Sequence, residues 1–140
     1  MKKTIKCILI IISIILIVFL LFIGRFEYVT RYKITDIDTS VSPNGEYELL
    51  YQNVGEPDLP FGYAHVRLVL KKGRETIIKY KFDVADDGGS PTTEQWQVIW
   101  KDDRADVLIS GEEQPDHLYK LYFNGETKEL QPITTTQKGK

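Results

Sequence analysis

Asp83, Asp86 and Asp87 fall inside one short stretch, Asp83-Val84-Ala85-Asp86-Asp87-Gly88-Gly89-Ser90. Clustered carboxylates supply the hard oxygen ligands that Ca²⁺ takes. This stretch is therefore the candidate metal site, and Ca²⁺ is the only cofactor the sequence suggests. The spacing departs from an EF-hand loop, which alternates its ligands and ends on a distant Glu. A solvated turn, where Asp and Gly are ordinary residues, is the favoured reading. Glu112, Glu113 and Asp116 form a second acidic patch with the same ordinary explanation.

His65 and His117 are the only histidines. Imidazole can ligate a metal or act as a general base. Neither histidine has a nearby Cys or a Glu-x-x-His pattern, and both fall on expected strands, so exposed strand-face positions are expected for both. No serine sits in a Gly-x-Ser-x-Gly elbow, and neither Gly-x-Gly-x-x-Gly nor a P-loop occurs. No catalytic residue is assigned, and an enzyme is not the expectation. The candidate binding segment is the loop from Gly55 to Gly62, where Glu56, Asp58, Leu59 and Phe61 are held stiff by Pro57 and Pro60. A stiff loop loses less entropy on binding. The competing reading is a strand crossover whose Leu59 and Phe61 plug one end of the core.

The elements that must position these groups have period two. Thr35, Ile37, Thr39 and Val41 share one face of a first strand, and Ser42-Pro43-Asn44-Gly45 turns the chain. Tyr47, Leu49 and Tyr51 alternate with Glu46, Glu48 and Gln52. Ala64 to Leu70 and Ile78 to Val84 form the clearest hairpin around Lys71-Lys72-Gly73-Arg74. Trp96, Val98 and Trp100 alternate with Gln95, Gln97 and Ile99, and Ala105, Val107 and Ile109 return after a tight turn. Tyr119, Leu121 and Phe123 lead into Asn124-Gly125, the strongest two-residue hairpin signal. Thr127 to Ile133 is an edge strand broken by Pro132. About eight short strands at this spacing predict an all-β fold, a small antiparallel β-sandwich or rolled sheet. Its core draws on Tyr47, Tyr51, Tyr80, Phe82, Trp96, Trp100 and Phe123.

One segment breaks this pattern. Cys7 to Ile23 is seventeen residues without a charge, and fifteen of the sixteen from Ile8 onward are Ile, Leu, Val or Phe. Counted from Ile5, a helix of this length spans roughly 28 Å, close to the hydrocarbon core of a bilayer. Insertion is favoured by roughly 5–9 kcal/mol. The run is longer than a secretory h-region, and bulky Phe26-Glu27-Tyr28 stands where a small-x-small cleavage site belongs. An uncleaved signal anchor is expected, meeting the lipid bilayer through residues 5–23. Lys2, Lys3 and Lys6 before it balance Arg25, Arg31 and Lys33 after it. The positive-inside count is thus a tie, and the usual signal-anchor arrangement places the following domain outside the cytoplasm.

The expected organisation is a transmembrane helix over 1–24, a stalk over 25–33, a β-domain over 34–133 and a polar tail over 134–140. From residue 34 onward, twelve Lys and Arg face nineteen Asp and Glu, a net charge of −7. That sign argues against nucleic acid as a partner. Cys7 is the only cysteine, so a disulfide scaffold is ruled out.

Four stretches carry a resemblance: Ser42-Pro43-Asn44-Gly45-Glu46-Tyr47-Glu48-Leu49, Gly55 to Gly62, Ile109 to Asp116, and Leu121-Tyr122-Phe123-Asn124-Gly125. With the N-terminal anchor, they resemble small single-pass membrane-anchored proteins of Gram-positive, clostridial-type bacteria. The resemblance covers nearly the whole chain. It implies a bacterial envelope setting and brings no activity, ligand or catalytic residue. The functional expectation is a membrane-tethered, extracytoplasmic binding or interaction module whose partner is another protein or an envelope ligand. The alternatives are a tethered envelope hydrolase working through the acidic loops, and a structural subunit of a membrane assembly. The helix lacks the small-xxx-small pattern that would favour the subunit.

Overall fold

The computed structural model describes residues 1–58, 62–85, 88–111 and 114–130, apart from the side chain of Lys2. One helix, α1 (Lys2–Arg31), precedes eight strands: β1 (Ile34–Val41), β2 (Tyr47–Val54), β3 (Tyr63–Lys72), β4 (Glu75–Ala85), β5 (Trp96–Trp100), β6 (Arg104–Gly111), β7 (Gln114–Tyr122) and β8 (Thr127–Leu130). The helix is long and apolar enough to cross a membrane, and its apolar side chains from Ile5 to Tyr28 are exposed. At 1.5 Å per residue its 30 residues run ~45 Å. It does not stop where the apolar run stops. Residues 25–31 continue it, so the stalk is mostly a further two turns of helix.

The strands make two antiparallel four-stranded sheets in meander order, β1-β2-β3-β4 and β5-β6-β7-β8. Each meander has one apolar face, and burying these faces against each other makes the sandwich. Leu49 pairs with Leu70 and Tyr51 with Leu68 on the first sheet. Val107 pairs with Tyr119 and Ala105 with Leu121 on the second. All eight are buried in one core with Val66, Ile78, Val84, Trp96 and Ile109. Of the aromatic residues expected in the core, Tyr51 and Trp96 are buried in it. Tyr47, Tyr80, Phe82, Trp100 and Phe123 pack partly buried around it.

Strand β1 differs from its expected pattern. The register with β2 shifts between Asp36 and Asp38, which is a β-bulge at Ile37. Ile37 still packs on the core, but beyond it the faces swap. Asp38 and Ser40 turn inward, while Thr39 and Val41 are exposed. The swap gives two indoles their partners. Trp96 Nε1 donates to Asp38 Oδ2 at 2.9 Å and Trp100 Nε1 to Ser40 Oγ at 3.0 Å. These bonds tie β5 to β1 along one margin of the sandwich. The opposite margin is held by the rings of Tyr80, Phe82 and Tyr119, with Tyr80 and Phe82 each tilted against Tyr119. Tyr80 Oη also donates to Glu129 Oε2 at 3.1 Å.

Strand direction sorts the loops into two ends. The end beside α1 holds the β2–β3 connection and the strand ends that flank residues 86–87 and 112–113. The distal end, ~26 Å further along an eight-residue strand, holds the four tight turns.

Leu68→Ala should cost about 2–5 kcal/mol, because its side chain is fully buried. Val41→Ala should stay within about 0.5 kcal/mol, because the bulge points it outward. Urea unfolding of the full chain in micelles measures both, and a large loss at Val41 would contradict the swapped faces.

Candidate functional site

The candidate residues of the β2–β3 connection meet the end of α1. Gly55 N–H donates to the Lys33 carbonyl at 2.7 Å and Glu56 N–H to the Thr30 carbonyl at 2.8 Å. These are carbonyls at and just beyond the helix C-terminus, which lack helical partners of their own. The loop therefore caps the helix from outside. Gly55 is required there twice over. Its φ is +77°, and a Cβ would sit on the Thr30 carbonyl oxygen.

Glu56, Pro57 and Asp58 form one wall of a cleft of about 600 Å³, and Phe26, Glu27, Thr30 and Arg31 of α1, with Tyr32 just after it, form the other. His65 lies between them. Its Nδ1 is 2.7 Å from Asp83 Oδ1, and its Nε2 is 3.4 Å from Asp58 Oδ2. Asp83 is its register partner on β4, so the sheet itself sets that contact. The hydrogen bond to Asp83 raises the His65 pKa above the ordinary 6.5. Partial burial opposes this, and the Asp58 bond and the attraction of both carboxylates add to it. An imidazolium donating at both nitrogens has no lone pair left to take a proton. In that state His65 is a clamp between loop and sheet, not a general base. Neither serine nor cysteine lines this cleft among the described residues.

Glu56 and Asp58 are thus brought together with His65 and Asp83, while Leu59 and Phe61 lie outside the described residues. So do Asp86, Asp87, Glu112 and Glu113. Asp83, assigned to the candidate Ca²⁺ set, contacts His65, and the other two residues of that set lie outside the described residues; among the described residues no group of three His, Cys, Asp or Glu is placed to hold a metal. Asp116 is exposed on β7. His65 is on an outward strand face as expected, though partnered. His117 is not on an exposed face. It pairs in register with Ile109, stacks on Tyr119, and has its Nδ1 3.0 Å from Glu129 Oε1. Alternation alone did not reveal this, because the partner lies on β8.

A second cleft, of about 340 Å³, opens at the distal end, where the sequence raised no candidate. Ser42, Pro43, Asn44, Glu46, Tyr47, Trp100, Lys101, Asp102 and Phe123 bound it. The turns themselves are rigid. Asn44 Oδ1 accepts from Ser42 Oγ at 2.6 Å and from Glu46 N–H at 3.1 Å, and Gly45 takes φ +73°. Phe123 N–H donates to the Asp103 carbonyl at 3.0 Å, which joins two of the turns. Tyr47 and Phe123 stack at 3.8 Å, and Trp100 leans on Phe123 at 6.3 Å. The missed signal was an inward-facing aromatic directly beside each of three turns.

Comparison with protein families, with curated proteins and with solved structures gives no match for this chain. The fold defines a class by its own geometry, a closed β-sandwich carried on one apolar helix.

Because the His65 pKa is raised on folding, its clamp contributes fully below pH 6.5 and is lost as pH rises through the folded value. His65→Gln should remove that part of the pH dependence of unfolding, and an imidazole NMR titration should place the pKa above 6.5. Superimposable stability curves for the two proteins would contradict the clamp. Gly55→Ala should cost more than about 1 kcal/mol in the same unfolding measurement.

Proposed function

We propose that this is a single-pass membrane protein of a bacterial envelope, whose β-domain stands outside the cytoplasm and binds another protein or an envelope component. The observation that carries this reading is the joint between α1 and the sandwich. A flexible tether would let the domain tumble. Here the helix runs on past its apolar run and is capped by the domain's own loop at Gly55 and Glu56. Such a joint holds the strands in one direction relative to the helix, with the distal turns furthest from the bilayer. Of the acids at the helix end, Asp58 and Asp83 are engaged with His65 between loop and sheet, which suits a structural part for these two. The distal turns, by contrast, leave aromatic and polar side chains around an open cleft.

In a Cys7→Ser background, Asp102→Cys should react with a membrane-impermeant maleimide in intact cells. A photo-crosslinking residue at position 102 should give a discrete adduct that the same residue at position 79, on the outer face of β4, does not give. Labelling only after lysis would overturn the orientation. Identical cross-linking from both positions, or none from either, would overturn the tip as the recognition surface.

A further inference from the structure

The lining of the distal cleft is specific enough to name a ligand class, on the footing that the tip is the recognition surface. We infer that this cleft binds a neutral carbohydrate, taking a pyranose ring against Trp100, with Tyr47 and Phe123 beside it.

The argument starts from what the cleft offers. Its volume, about 340 Å³, is at the small end of small-molecule sites, which run from about 300 to 1,000 Å³. It fits one or two sugar rings. Three aromatic side chains line it, and each is only partly buried. Their positions are held from behind. Trp100 is anchored by its indole N–H on Ser40, and Tyr47 and Phe123 are stacked face to face. Aromatic surface that is held rigid before binding loses little entropy on contact.

The polar groups around the rings complete the pattern. Asn44 Oδ1 is engaged within its turn, which orients the amide, and no hydrogen bond among the described residues occupies its NH₂ group. Lys101 and Asp102 are exposed and make no ion pair among the described residues. Glu46 is 3.7 Å from Lys72, whose Nζ also lies over the Tyr47 ring at 5.2 Å. Donors and acceptors therefore alternate around an apolar floor, and the acids are nearly balanced by lysines. A pyranose has the complementary surface, with a C–H face for the rings and a rim of hydroxyls that both donate and accept. An anionic ligand meets a domain with a net charge of −7, and a cation finds its carboxylates already offset by Lys72 and Lys101. Neutrality is the charge state that this cleft matches.

The test uses the full ¹⁵N-labelled chain in lipid nanodiscs. The chain has two tryptophans, so the indole region shows one signal from the cleft and one from the core. Cellotetraose and the tetramer of N-acetylglucosamine are the neutral probes, and a tetramer of galacturonate is the charged control. Saturable movement of the Trp100 indole by a neutral probe, with the Trp96 indole still, is the expected result. Asn44→Ala and Asp102→Ala, both at the surface, should each weaken it about tenfold, equivalent to about 1.4 kcal/mol. A Trp100 signal unmoved by both neutral oligomers at millimolar concentration overturns the inference, as does movement by galacturonate alone. If the tip cross-links in cells yet no sugar moves Trp100, the ligand class is wrong and the tethered module stands. If position 102 also fails to cross-link, both readings fall together.

Discussion

Everything in the β-domain depends on burying two apolar sheet faces against one another. Leu49, Tyr51, Leu68 and Leu70 on one sheet meet Trp96, Val107, Ile109 and Leu121 on the other, and neither face is tolerable in water alone. A sandwich of two meanders still has open margins, where polar backbone and ring edges meet solvent. The two margins are closed by different chemistry. Indole N–H groups reach Asp38 and Ser40 on one side, and tilted tyrosine and phenylalanine rings close the other. Each closure needs an in-facing polar or aromatic group at the strand edge, which explains why β1 carries a bulge. Without it, Asp38 and Ser40 would face water and the tryptophans would have no acceptors.

The helix is joined to this core by backbone hydrogen bonds. Carbonyls at and beyond the helix end accept from the β2–β3 loop, and a glycine makes the approach possible. The Asp58–His65–Asp83 contacts then pin the same loop to the sheet. These ionic contacts are well exposed, so each contributes modestly. Their role is to reinforce a geometry that the backbone bonds already set. The two ends of the domain therefore have different tasks. The end beside the helix is occupied with the joint, and the far end presents rings and polar groups that nothing in the described chain covers.

Much of the architecture was legible in the sequence. Period-two alternation located eight strands, and Pro43-Asn44-Gly45, Gly73 and Asn124-Gly125 marked turns that the structure makes with positive φ at glycine. The candidate sites were less legible. Asp58 and Asp83 were singled out for acidity and turn up as partners of His65, which had been read as an exposed strand-face residue, while Glu56 lines the same cleft. His117 was placed on the wrong kind of face, although period two sets it beside Tyr119 and Leu121, and its carboxylate partner Glu129 comes from β8. Tyr47, Trp100 and Phe123 were counted toward the core, which they only partly enter, and they also line the distal cleft.

Taken by itself, the sequence determined whatever depends on neighbours along the chain. An uninterrupted apolar run makes one long exposed helix, because its backbone bonds are all local. Alternation makes strands, and glycine after asparagine makes hairpins, because φ and side-chain direction are local too. Only the tertiary structure decided which loops share an end, where one strand swaps its faces, and which acid meets which histidine. Those outcomes turn on register. A one-residue shift moves every later side chain across the sheet, and only the partner strand specifies whether the shift occurs. The distal cleft is of this second kind, since three turns far apart in sequence form it only after both sheets have paired and closed.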